Sequence, residues 1–187
     1  MTGYKTLIQF ARRTLNAGTI ILGLSSSTAY AGDWKSNELQ CLARNIYFES
    51  LNQSVMGQMA VAHVTLNRVK LNRYPDTICG VITDSRKDKN GEVRRNKCQF
   101  SWYCDGKDDT PKNRALWKDA QTVASVSIQI FYTYGDVTGG ATHYHASYVS
   151  PNWSKTMERV ARVDDHIFYD YRKKITPQTR PQLRLDK

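Results

Sequence analysis

SNELQCLARNIYFE, residues 36–49, places Leu39, Leu42, Ala43 and Ile46 at helical spacing behind Ser36, a suitable N-cap. At about 100° per residue, Glu49 falls on the same stripe, between Leu42 and Ile46. That puts a carboxylate on the buried face of a helix, in its last turn. Loss of hydration and the negative end of the helix dipole both disfavour its charged form. A carboxylic acid that stays protonated near neutral pH is equipped to protonate a glycosidic oxygen. The alternative is a structural glutamate paired with Arg44 or Arg68, or one exposed by fraying of the helix end.

Outward from this helix, a second is predicted from about Ser54 to Leu71, with Val55, Met59, Ala62, Leu66 and Val69 inward. Arg73-Tyr74-Pro75 breaks it. Residues 76–106 hold no strong helical period and read as a loop-rich, basic lobe, with Asn90-Gly91 as the turn of a short hairpin. A third helix is expected with Thr110 as N-cap and Pro111 as first residue. Trp117, Ala120, Ala124, Ile128 and Phe131 form its buried face, and Gly135 ends it. Ala141 to Tyr148 has strand-like composition. Ser150-Pro151 is read as the start of a fourth, short helix with Trp153, Met157 and Val160 inward. Val163 to Tyr169 is extended. The order gives an α+β fold, mainly helical, in a single domain with a small β element.

Before this domain, Lys5, Arg12 and Arg13 precede a short apolar run, Leu15 to Leu24, and then Ala29-Tyr30-Ala31. That is the pattern of a secretory signal peptide over 1–31. The domain is then 32–171, and 172–187 a basic flexible tail. Cleavage after Ala31 removes three cations and takes the net charge from +10 to +7. A basic exported protein suits an anionic wall or membrane surface better than nucleic acid. Cys41, Cys79, Cys98 and Cys104 all follow the cleavage point, which favours disulfides. Four cysteines allow three pairings; the short span from Cys98 to Cys104 favours that pair together with Cys41–Cys79. No C-x-x-C pair indicates zinc.

Two further groups carry chemistry. On a strand, His143 and His145 share one face and Tyr144 takes the other. Together with His166, the two histidines could instead hold zinc, as in a wall amidase or peptidase. Gln99, Phe100, Ser101, Trp102 and Tyr103 lie beside Cys98 and Cys104, where aromatic faces and short polar groups suit a sugar. Trp153 offers a further platform. The plain alternative for Phe100 and Trp153 is core packing. No nucleophile elbow or phosphate-binding glycine loop appears.

In order, Cys41 to Glu49, Gly57 to Ala62 with Leu66 to Val69, Tyr74 to Ile82, Cys98 to Ser101, Gly140 to Tyr144 and His166 to Tyr169 resemble the cell-wall hydrolases related to the spore cortex-lytic enzyme (SleB-type). The resemblance covers about 38–171. It implies a lysozyme-like, lytic-transglycosylase-like fold and cleavage between N-acetylmuramic acid and N-acetylglucosamine, with Glu49 as the catalytic acid. Gln99, Phe100, Ser101, His143, Tyr144 and Trp153 are the expected substrate contacts. Many members carry a second glutamate where this chain has Gln53, which fits a route needing one carboxylate. No cofactor or metal is expected. The expected partner is peptidoglycan, met as a monomer in the periplasm or outside the cell, with no nucleic acid and no stable membrane insertion after cleavage. A non-catalytic peptidoglycan-binding module is the remaining alternative.

Overall fold

A computed structural model describes residues 37–174. The proposed leader, its cleavage point at Ala31, the expected cap Ser36 and the tail beyond Lys174 lie outside the described residues. Among the described residues, four α-helices are present: α1 (Asn37–Ser50), α2 (Val55–Val69), α3 (Ile78–Thr83) and α4 (Arg114–Thr133). Leu42, Ala43 and Ile46 of α1 are fully buried against Leu66, Ile82, Ala124 and Ile128, so the stripe read from residues 36–49 does face the core. Each such leucine or isoleucine contributes about 2–5 kcal/mol relative to alanine.

α2 differs from expectation. Ala62 and Leu66 join the helical core, but Ala60, Val61 and Val64 are buried against a sheet. The helix is apolar nearly all round because it lies between two layers. Val55, expected inward, is exposed at its first turn. Ser54 is the N-cap: its hydroxyl accepts the Gly57 N–H and donates to Asp164 of a distant turn at 2.6 Å. Only glycine fits at 57, since a Cβ there would come within 2.4 Å of that Asp164 carboxylate.

α3 falls in the segment that the sequence predicts to be loop. It is too short to show a period or to be stable alone. Its N-terminus is capped by the Thr77 hydroxyl and by Glu38 of α1 accepting the Ile78 N–H at 2.6 Å, and the Cys41–Cys79 disulfide ties it to α1. α4 starts later than expected. Asn113, not Thr110, is its N-cap, accepting the N–H groups of Ala115 and Leu116. Asp108 instead takes the Thr110 N–H, and the Tyr47 hydroxyl takes that of Asn113. Gly135, at φ 100°, follows the helix end as expected.

Beyond α4, β3 (His143–Ala146), β4 (Met157–Val163) and β5 (His166–Lys174) form an antiparallel sheet in the order β3-β5-β4. The expected fourth helix is therefore corrected: only a 3₁₀ turn, Asn152–Lys155, precedes β4. Arg159 pairs with Tyr169 and Ala161 with Phe168, leaving Val160 as an extra residue. That bulge breaks the two-residue period and imitates helical spacing. β5 also runs through Lys174, so 172–174 belong to the sheet and not to a flexible tail. Arg172 is held by Asp170 at 2.9 Å. A separate hairpin, β1 (Ser85–Lys87) and β2 (Val93–Cys98), is stapled by Cys98–Cys104. Among the described residues, no helix is long and apolar enough to cross a membrane.

Candidate active site

Glu49 lies in the last turn of α1, half-buried. The Tyr144 hydroxyl, reaching from β3, donates to its Oε2 at 2.8 Å. Burial raises the Glu49 carboxyl above the ordinary carboxylate range; the Tyr144 hydrogen bond and the Arg68 charge oppose this without cancelling it. Burial, with the neighbouring carboxylate, also pushes the Tyr144 phenol well up, so it acts as a neutral donor.

The support behind this pair comes from α2. Asn67 donates to the Ala141 carbonyl at 3.0 Å and Arg68 to the Thr142 carbonyl at 2.8 Å. These two bonds clamp the segment that launches β3, which explains why Asn67-Arg68 and Gly140 to Tyr144 both stand out in the sequence. Asp136 organises the preceding turn, accepting from the Thr138 and Gly140 N–H groups. Burial alone would raise its carboxyl, but His63 and those N–H groups outweigh it and hold it low. Arg68 is 5% exposed and stacks over Phe100 and Tyr74. Its burial lowers the guanidinium pKa.

A cleft of about 670 Å³ opens beside Tyr144, and its lining includes Arg68, Asp84, Gln99, His143 and Trp153. Trp153 packs on the rings of His143, His145 and Tyr169 at 5.4–5.5 Å. The His143 imidazole is pushed down to about 4, first by burial and then by the charges of Arg68 and Arg73. At neutral pH it is an uncharged hydrogen-bonding group facing the cleft.

Of the expected contacts, the fold thus gathers Gln99, His143, Tyr144 and Trp153, with Glu49 joined through Tyr144. Phe100 differs: it is 2% exposed, with Arg68 over its ring, so its face is not open to a sugar. Trp102 is likewise core, stacked on Phe48 and donating to Asn45. Ser101 is exposed at the start of a 3₁₀ turn and is not part of the cleft lining. The three histidines do not converge. His143 and His145 pack on Trp153, whereas the His166 ring lies against Tyr144 and Phe168 on the other face of the sheet. Strand parity dictates this, because Ala146 pairs with His166 and His145 with Ile167. Gln53 is spent on structure, its side chain accepting the Asp165 N–H at 3.2 Å. In the sequence Arg68 reads as a rival partner for Glu49 and as part of the Leu66 to Val69 motif, and Asp84 carries no signal.

The family model described as Cell Wall Hydrolase matches residues 52–169, a span that begins three residues after Glu49. Among curated proteins, the chain is similar to the spore cortex-lytic enzyme of Bacillus cereus, 26% identical over 145 residues, covering 77% of this chain and 48% of that one. The spore cortex-lytic enzyme of Oceanobacillus iheyensis is 26% identical over 136 residues, with coverages of 72% and 42%. The chain thus spans about half the length of the curated relatives it matches. Two solved structures share its fold. The catalytic domain of Bacillus cereus SleB has TM-score 0.52 and 29% identity, covering 72% of this chain and 90% of that one. The catalytic domain of the germination-specific lytic transglycosylase SleB from Bacillus anthracis has TM-score 0.55 and 28% identity, with coverages of 72% and 95%. The lysozyme-like fold read from the sequence is therefore the fold of the chain.

Proposed function

This chain belongs to the cell wall hydrolase family, and on that premise we propose that it cleaves peptidoglycan glycan strands between N-acetylmuramic acid and N-acetylglucosamine, as a lytic transglycosylase. One observation carries the reading: a carboxyl whose proton affinity is raised by burial, fixed through one oxygen by Tyr144, beside a cleft of sugar size. Among the described residues, none donates a hydrogen bond to the other oxygen, Oε1. Glu49 gives its proton to the glycosidic oxygen as the bond to the muramic C1 breaks, and the leaving sugar departs as an alcohol. The positive charge left on the ring is met by the new carboxylate. Glu49 then takes the proton of the muramic 6-hydroxyl while that oxygen closes on C1. The product is a 1,6-anhydro sugar, and the acid is restored without a second carboxylate. Gln99, His143 and Trp153 are the proposed sugar contacts. Residues 1–31 are the proposed leader, which directs a monomeric enzyme to the periplasm or the exterior.

Digestion of purified sacculi by the mature protein and by Glu49→Gln, read by mass spectrometry, tests this. Anhydro-muramic ends from the wild type alone are the expected result. Reducing ends from the wild type would retain Glu49 but replace the internal hydroxyl by water. Equal release by both proteins would sink the assignment.

A further inference from the structure

The β1–β2 hairpin takes no part in the reaction above. It carries Arg86, Lys87, Lys89, Arg94, Arg95 and Lys97 against Asp88 and Glu92. Every residue from Arg86 to Lys97 is exposed. A two-stranded ribbon with no apolar face is not stable alone. This one is held at its base by Cys98–Cys104 and by the Gln99 N–H on the Asp84 carbonyl. Arg95 ties its back, donating to the Asp105 carbonyl at 3.1 Å. Asp88 is spent within the turn, on the N–H groups of Asn90 and Glu92.

The strand pairing is irregular in a telling place. Ser85 pairs with Cys98 and Lys87 with Val93, so two steps along β1 face five along β2. The surplus includes Asn96, at φ 57° in the left-handed region. Bulges of this kind re-aim side chains, and strained backbone concentrates at functional sites. Here Asn96 and Lys97 line the cleft together with Arg86. Among the described residues, neither Arg86 nor Lys97 has a salt-bridge partner. Deeper in the lining lies Arg68, whose buried Nη1 has no hydrogen-bond partner. Three cations thus meet one carboxylate, Asp84, in the lining.

A glycan strand whose lactyl groups are amide-linked to peptides is itself uncharged, and its negative charge resides in the free carboxylates of the stems. We propose that the cationic lining formed by Arg86, Lys97 and the bulge at Asn96 binds those stem carboxylates, so that strands with unamidated stems are the preferred substrate. This rests on the glycan-cleaving reading and adds the substrate class to it.

The test compares soluble glycan strands bearing native stems with the same strands amidated by carbodiimide and ammonia. Two modest surface ion contacts predict a wild-type preference for native stems of about two- to thirtyfold in kcat/KM. Rising ionic strength should shrink it. The double variant Arg86→Ser, Lys97→Ser should bring the ratio close to one, and Arg86→Glu, Lys97→Glu should bring it below one. A wild type indifferent to amidation, or a double variant that keeps the preference, overturns the inference while leaving the reaction intact. If the wild type cuts neither substrate, the proposed reaction fails instead. Equilibrium binding of the two strand types then decides the lining by the same ratio. Loss of binding to phosphatidylglycerol vesicles in the double variant, with stem preference unchanged, would reassign the hairpin to a membrane surface and overturn the proposal.

Discussion

The acid beside the cleft and the hairpin that lines it rest on opposite kinds of support. Beneath Glu49, Leu42, Ala43 and Ile46 are wholly excluded from solvent, and Asn45 links three elements by accepting from Trp102 at 3.0 Å and donating to Thr65 at 3.4 Å. The hairpin has no residue buried between Arg86 and Lys97 and depends on a disulfide closing a separation of 6 residues. The acid needs a fixed position and little water, because its proton affinity comes from burial. A group that recognises charge on a long, flexible polymer needs reach and solvent. The difference separates chemistry, which the core supplies, from selection, which the surface supplies.

Glu49→Gln should break the comparison most severely. Activity falls by about 10²–10⁴-fold, the usual contribution of a positioned general acid. The urea midpoint stays level or rises, since a desolvated carboxyl has been removed. A large fall in stability would mean that Glu49 is structural.

Next in size are the disulfides. Cys41–Cys79 closes 38 residues and Cys98–Cys104 closes 6. Chain entropy predicts losses of about 4 and about 2 kcal/mol for the respective serine pairs. Urea unfolding measures both, and a reversed order would show that the hairpin, not α3, is the stiffer part.

Tyr144→Phe should act more subtly. The lost hydrogen bond favours the charged Glu49, so its pKa rises further and the alkaline limb of the kcat/KM profile moves to higher pH. Plateau activity falls about tenfold as the acid loses its orientation, a fraction of the general-acid contribution. An alkaline limb that moves downward would refute this account of the pair.

A last effect concerns pH and stability. His143 titrates near 4 when folded, against 6.5 ordinarily. Between those values the unfolded chain binds the extra proton, so stability declines as pH falls through 6.5 and levels off below 4. His143→Gln should flatten that slope between pH 7 and 4.5 in urea titrations. An unchanged slope would place the titrating group elsewhere, with His166, also lowered by burial, as the next to test.

The sequence by itself determined the long helices, their breaks and the unusual seat of Glu49, while it only favoured the cysteine pairing that the fold makes. Each of these is written in neighbours within a few turns: the 3.6-residue stripe through Leu42 and Ile46, the Arg73-Tyr74-Pro75 break, the glycine after α4. The tertiary structure decided what distant partners decide. Glu38 and Cys41 made a helix of Ile78–Thr83. Pairing with β5 made a strand of Met157–Val163, whose bulge at Val160 had imitated a helix. Asn113 capped α4 because Tyr47 and Asp108 occupied its surroundings. The same holds in the site. The place of Glu49 was legible because periodicity records burial, whereas its Tyr144 bond, the clamp of Asn67 and Arg68 on β3, and the separation of His166 from His143 and His145 depend on strand register. These contacts join segments from 20 to 95 residues apart, and local spacing carries no record of them.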